Sequence, residues 1–194
     1  MKKLLLACFV LFTAPELIAQ TKFVEFGAKA GINMASLRNR HGASNKNLVG
    51  FNAGGIAHIN FSRDFALQGE LVYSQQGTKA KTFTGSIPYE DHLNYLTVPI
   101  LAQVQTKTGF RIYGGPQVGF LLNAETTQPG VDPERTNYYK PVDVEFAAGL
   151  SHLIKTIGLG FDARFNFSLT DIAKADNVDI RQTVWQVGVF YQFK

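Results

Sequence analysis

"IGLGFDARFNFSLTDI", residues 157–172, sets Ile157, Leu159, Phe161, Ala163, Phe165, Phe167 and Leu169 against Gly158, Gly160, Asp162, Arg164, Asn166 and Ser168. Successive side chains of a strand point to opposite faces, so this period of two predicts a β-strand. Alternation does not say where water is. The apolar face can meet a protein core or lipid, and the fold turns on that choice.

Seven further segments alternate in the same way. Their apolar faces are Phe26, Ala28, Ala30, Ile32, Met34; Phe51, Ala53, Gly55, Ala57, Ile59, Phe61; Phe65, Leu67, Gly69, Leu71, Tyr73; and Leu96, Val98, Ile100, Ala102, Val104. Then come Phe110, Ile112, Gly114, Pro116, Val118, Phe120, Leu122; Val142, Val144, Phe146, Ala148, Leu150; and Trp185, Val187, Val189, Tyr191, Phe193. That makes eight strands and no convincing helix. Short turns at 62–64, 106–109 and 154–156 alternate with long polar loops at roughly 36–48, 76–92, 124–140 and 170–181. Such a sided meander is the layout of an outer-membrane barrel, which has an even strand count, short turns at one end and longer loops at the other.

The polar face decides which side is inside. A solvent-facing surface should be dense in Lys and Glu and poor in Gly. Here it carries Gly27, Gly31, Gly50, Gly54, Gly115, Gly119, Gly149, Gly158, Gly160 and Gly188, with Lys29, Glu70, Arg111, Glu145, Asp162 and Arg164 among them. Small residues mixed with a few opposite charges suit the narrow lumen of an eight-stranded barrel. The apolar face, Phe165 included, then looks out at lipid. About ten residues of roughly 3.3 Å each, tilted near 40°, project to about 25 Å, the height of the apolar band on such barrels. Phe65, Tyr73, Phe110, Phe120, Trp185, Tyr191 and Phe193 are candidates for the interfacial aromatic girdles. The fold class is therefore all-β, an eight-stranded antiparallel up-and-down transmembrane β-barrel.

The 194 residues, with 18 Gly and 16 Phe, fit one such domain. Lys2 and Lys3, an apolar run from Leu4 to Thr13 and a small residue at Ala19 read as a secretory signal peptide over 1–20, leaving a barrel domain at 21–194. The single cysteine, Cys8, lies in that segment, so the exported chain has no disulfide to draw on. Charge is nearly balanced, with no basic run and no interleaving of aromatics with Lys and Arg, which excludes a nucleic-acid surface.

"LQGELVYSQQG" (67–77), "LNYLTVPILAQ" (93–103), "YGGPQVGFLL" (113–122) and "LGFDARFNFSLTDI" (159–172) together resemble the PorT-like family of small outer-membrane β-barrels, and the similarity spans about Phe26 to Phe193. Gly69 stands where Pro is common in that family. The ending "YQFK" is similar to the aromatic-ended signal read by the barrel assembly machinery, with Lys194 following the expected terminal Phe. The resemblance implies location in the outer membrane of a Gram-negative bacterium. It implies no activity, because most members of so broad a family have no assigned role.

A charge inside a barrel needs a partner or water, so Lys29, Glu70, Arg111, Glu145, Asp162 and Arg164 are read as an ion-pair network filling the lumen rather than as a relay. Arg38, Arg40 and Lys46, in "SLRNRHGASNKN", are candidate contacts to anionic lipopolysaccharide head groups. Tyr138 and Tyr139 are placed to anchor at the membrane interface or to bind a partner. His41, His58, His92 and His152 have no spacing that gathers them, and neither a catalytic site, a metal site nor a cofactor is predicted. "GLGFDA" (158–163) satisfies G-x-G-x-x-A, but the strand period continues through it where a dinucleotide fold needs a helix.

The expectation is a non-enzymatic outer-membrane barrel that supports the envelope or binds through its long loops, with outer-membrane lipid and an unidentified protein as partners. The alternatives are a soluble exported lipocalin-like barrel with an apolar ligand, a component of a secretion or envelope assembly system, and a lipid-directed envelope enzyme.

Overall fold

The alternating segments pair in sequence order and close on themselves. A computed structural model describes residues 24–39, 46–81, 88–127, 130, 132–175 and 180–193. Its strands are β1 (Val24–Asn39), β2 (Lys46–Asn60), β3 (Phe65–Lys81), β4 (Pro88–Gln105), β5 (Phe110–Thr126), β6 (Val142–Ile154), β7 (Leu159–Ser168) and β8 (Ile180–Gln192). Each is antiparallel to its neighbour, and β1 pairs with both β2 and β8, giving a closed eight-stranded barrel. Closure pairs backbone N–H and C=O groups without a free edge, which is what a bilayer demands of a spanning sheet. The predicted signal segment lies outside the described residues.

Three tight turns join strands at one end. Ser62 Oγ accepts from the Phe65 amide at 3.0 Å in the first. Gly109 (φ 94°) and Gly158 (φ 76°) take the left-handed conformation that lets the other two reverse direction within a few residues.

The outward face is apolar, as the alternation predicts. Ile32, Val187, Ala163, Leu150 and Ile112 are successive register partners across β1, β8, β7, β6 and β5, and form an aliphatic row that descends from mid-height at Ile32 and Val187 toward the turn end at Ile112. Aromatic rings flank it: Phe165 lies 4.6 Å from Trp185, Phe51 5.5 Å from Tyr73, and Tyr191 5.7 Å from Phe193.

Two features differ from the sequence reading. The strands run on through much of what reads as loop, with β3 reaching Lys81, β4 starting at Pro88 and β5 ending at Thr126. Beyond the lipid both faces of a strand are solvated, so alternation fades while the hydrogen-bonded ladder continues. The interior is also bulkier than glycines and charges alone suggest, because Leu93, Tyr95, Leu101, Tyr113, Val184 and Phe190 are buried there. Inward glycines make the room. A Cβ on Gly119 would sit 3.2 Å from the Tyr95 ring, and one on Gly149 only 2.6 Å from the Tyr113 hydroxyl.

Candidate functional site

Parity fixes which side chains point inward, and strand tilt fixes which of them meet. Four of the six charges read from sequence converge near mid-height. Lys29 Nζ lies 3.3 Å from Glu70 Oε2 and 3.4 Å from Asp162 Oδ1. Arg164 holds Glu70 through both terminal nitrogens, at 2.9 and 2.5 Å, the fork geometry that guanidinium and carboxylate share. Gln68 donates to Glu70 at 2.6 Å, Tyr113 donates to Asp162, and the Arg164 guanidinium lies 5.1 Å from the centre of the Tyr113 ring. Two cations and two anions close to zero charge, and all four are buried.

The other two lie elsewhere. Arg111 sits toward the turn end, donates to Gln192 Oε1 at 3.0 Å, and lines an open cavity of about 610 Å³ together with Glu25, Asn60, Gln105 and Lys155. Glu145 sits toward the loop end, accepts from Gln117, and shares its face with Asp143 two residues earlier. Asp143 has the same parity as Glu145, the signal in the sequence that puts it on the same inward face. A neutral polar layer of Asn33, Asn52, Ser74 and Gln76 lies between these levels, with Asn52 donating to Asn33 at 2.6 Å and the Ser74 hydroxyl accepting from Asn33 and Gln76.

The loop end carries a second structure that alternation does not reveal. Residues 132–141 and 169–175 fold over the mouth: Tyr139 bridges to Ala173, and the Lys140 amide donates to the Ile172 carbonyl at 2.8 Å. Ile172 is fully buried among Leu37, Leu93, Tyr95, Ala124 and Tyr139. An isoleucine set in a mostly polar stretch, with Thr170 and Asp171 before it and Lys174, Asp176 and Asn177 after, is the signal the sequence offers. Tyr139 is thus part of this cap, donating to Asp91 at 3.1 Å, whereas Tyr138 is exposed beneath the Arg135 guanidinium. Burial and the nearby Asp91 carboxylate push the Tyr139 phenol up, so it remains a neutral donor.

Asp171 ties the two cap segments together. Burial alone would raise its carboxyl, but the amides of Ile180 (2.8 Å) and Ala173 (3.0 Å) and the Lys140 ammonium (2.9 Å) outweigh that and hold it below the usual carboxylate range. A carboxyl depressed in the folded state contributes stability above its unfolded pKa of about 4 and loses it as pH falls further, through the folded value. Acidification below about pH 4 is therefore expected to loosen residues 169–175 before the barrel itself opens, read as faster amide exchange at Ile180. Asp171→Asn should show the fast exchange at every pH, and unchanged protection in acid would count against the anchor.

Of the predicted head-group contacts, Lys46 is exposed at the start of β2 and Arg38 is the register partner of Arg181 at the loop end of β1 and β8. Arg40 lies outside the described residues, as does His41. His58 points into the lumen 2.8 Å from Gln103, His92 lies 3.6 Å from Glu90 near the rim, and His152 faces outward, so the structure does not gather them. Among the described residues no three His, Cys, Asp or Glu side chains are grouped as metal ligands.

The family of the outer membrane protein beta-barrel domain matches residues 18–174. The chain belongs to it. No curated protein matches this member of the family in sequence. Among solved structures, Ail, the attachment invasion locus protein of Yersinia pestis, superposes with a TM-score of 0.56 at 19% identity over 87% of this chain and 98% of its own. Neisserial surface protein A gives 0.54 at 14% identity over 87% and 97%. A second structure of Ail, in complex with the heparin analogue sucrose octasulfate, gives 0.55 at 18% identity over 88% and 99%. At these identities the likeness is one of fold. Family and fold together make the protein an outer-membrane β-barrel, and its interior of Lys, Arg, Glu, Asp, Asn and Gln is the reverse of what the soluble lipocalin-like alternative requires.

Proposed function

We propose that the protein is a non-enzymatic member of the family, of the PorT-like kind, whose lumen is filled by side chains and which acts at the cell surface through its loop end. The observation that carries this reading is the cap: Ile172 buried over the mouth, with the ion quartet beneath it. Eight strands enclose just enough space for side chains, and here hydrogen-bonded residues cross it at several heights. A barrel built in this way presents a fixed polar platform to the outside rather than a passage.

The platform is basic along one side. Lys46, Lys174 and Arg181 are exposed, and Arg38 adjoins Arg181 across the β1–β8 pairing. This favours an anionic sugar or lipid head group as the loop-end ligand, the class to which the octasulfate bound by Ail belongs.

Reconstitution into planar bilayers tests the filled lumen. The wild-type barrel is expected to add no stable channel conductance, and discrete, long-lived channels would remove the reading. The ligand class is tested by binding to vesicles with and without lipopolysaccharide, where Arg38→Glu/Arg181→Glu should weaken binding and steepen its loss with salt.

A further inference from the structure

We propose that Asp143, Glu145, Tyr95, Asn166 and Gln182 form a calcium-binding site in the loop-side end of the lumen. The first ground is charge. Asp143 and Glu145 are only 1% and 2% exposed, and no described Lys or Arg lies within ion-pair distance of either. Their hydrogen-bond donors are neutral. Ser168 Oγ reaches Asp143 Oδ2 at 2.6 Å, Thr170 Oγ1 reaches Oδ1 at 2.9 Å, and Gln117 bonds Glu145. The mid-height quartet balances its charge, whereas this pair does not. Two carboxylates cannot both stay ionised at low dielectric without a cation.

The second ground is independent of the acids. The Tyr95 hydroxyl, both amide atoms of Asn166 and both of Gln182 are buried without a hydrogen-bond partner. Their positions converge on the pair. Ser168 is the register partner of Glu145, Asn166 lies two residues along the same face of β7, and the backbone N–H of Gln182, whose side chain points inward, donates to Ser168 Oγ at 3.2 Å. The Tyr95 ring passes over Gly119, itself the register partner of Asp143, which brings the hydroxyl within electrostatic reach of both carboxylates. Buried polar atoms on native side chains are almost always satisfied, so three partnerless oxygens, the Tyr95 hydroxyl and the side-chain carbonyls of Asn166 and Gln182, beside two unbalanced carboxylates point to a cation.

Chemistry selects the ion. The set offers two carboxylates, two amide carbonyls and a phenol, with no sulfur or imidazole. Calcium takes six to eight such oxygens, carboxylate and amide carbonyl alike, whereas magnesium keeps most of its water. Thr170 is exposed at the rim and bonded to Asp143, so the outermost carboxylate is one residue from solvent.

The test uses the full mature chain folded in detergent micelles free of lipopolysaccharide, with terbium as the probe. Tyrosine light should sensitise one saturable terbium site, which calcium displaces at lower concentration than magnesium. Tyr95→Phe should abolish the sensitised emission, and Asp143→Asn or Glu145→Gln should weaken binding at least tenfold. If the acid variants fail to fold, Asn166→Ala, which leaves both carboxylates in place, should weaken binding several-fold. Absence of a saturable site, terbium binding unchanged in these variants, or stronger displacement by magnesium would each overturn the assignment. So would a calcium-independent gain in stability on Glu145→Gln, which would mean that the pair holds a proton instead.

Discussion

Glu70→Gln is expected to destabilise the barrel by about 3–5 kcal/mol, the cost of breaking a buried ion pair by removing one partner. Glu70 receives Lys29, both terminal nitrogens of Arg164, and Gln68. A neutral amide in its place leaves two buried cations facing the single carboxylate of Asp162. Asp162→Asn should cost less, because Lys29 and Arg164 would still share Glu70. Adding Lys29→Met to Glu70→Gln brings the cluster back to zero charge and should recover most of the loss, since apolar replacement of a buried pair is often close to neutral. The measurement is urea-induced unfolding from lipid vesicles, followed by the shift in gel migration between folded and heated barrel. A Glu70→Gln barrel within about 1 kcal/mol of wild type would mean that water solvates these charges, and would also weaken the case for a filled lumen.

What the sequence made legible follows from which physical signals are local. Alternation is local. Phe161, Phe165 and Phe167 against Asp162, Arg164 and Asn166 set the faces of β7, and the glycines among the polar positions settled that this polar face is the inside. Height within the barrel is not local. It depends on stagger between strands, so parity placed Arg111 and Glu145 with the quartet, whereas the fold sends one toward the turn end and the other toward the loop end. Tyr113 and Gln68 join the cluster for the same reason, and their residue types gave no hint of it.

The cap was hidden by a different effect. Its stability rests on Ile172 and Tyr139, inserted from segments with no period, and on backbone bonds between residues 138–140 and 172–174. No propensity or pattern signals such docking. Polar composition locates the loops, but Tyr139 shows that a loop aromatic can be the lid's own core rather than an anchor in the membrane. The same limit applies to strand ends. Gln76–Lys81 reads as loop because both of its faces are polar, yet it continues the β3 ladder against β4.

Val187→Arg is expected to cost about 2–4 kcal/mol, the penalty for a cation on the lipid face near the bilayer midplane. Val187 is 55% exposed and sits at mid-height between its register partners Ile32 and Ala163, so the substitution removes little besides the apolar contact with lipid. Its control is Thr183→Arg. That residue lies on the same face four positions nearer the loop end, roughly 10 Å higher for a strand tilted near 40°, and beside the basic rim. An arginine there can reach head groups, so the cost should fall to about 0–1 kcal/mol. The gradient is the diagnostic quantity, because an apolar side chain exposed to water would lose nothing on becoming arginine at either height. Equal and small effects at both positions would therefore put water, not lipid, around the barrel, and would return the soluble alternative to consideration despite the polar lumen.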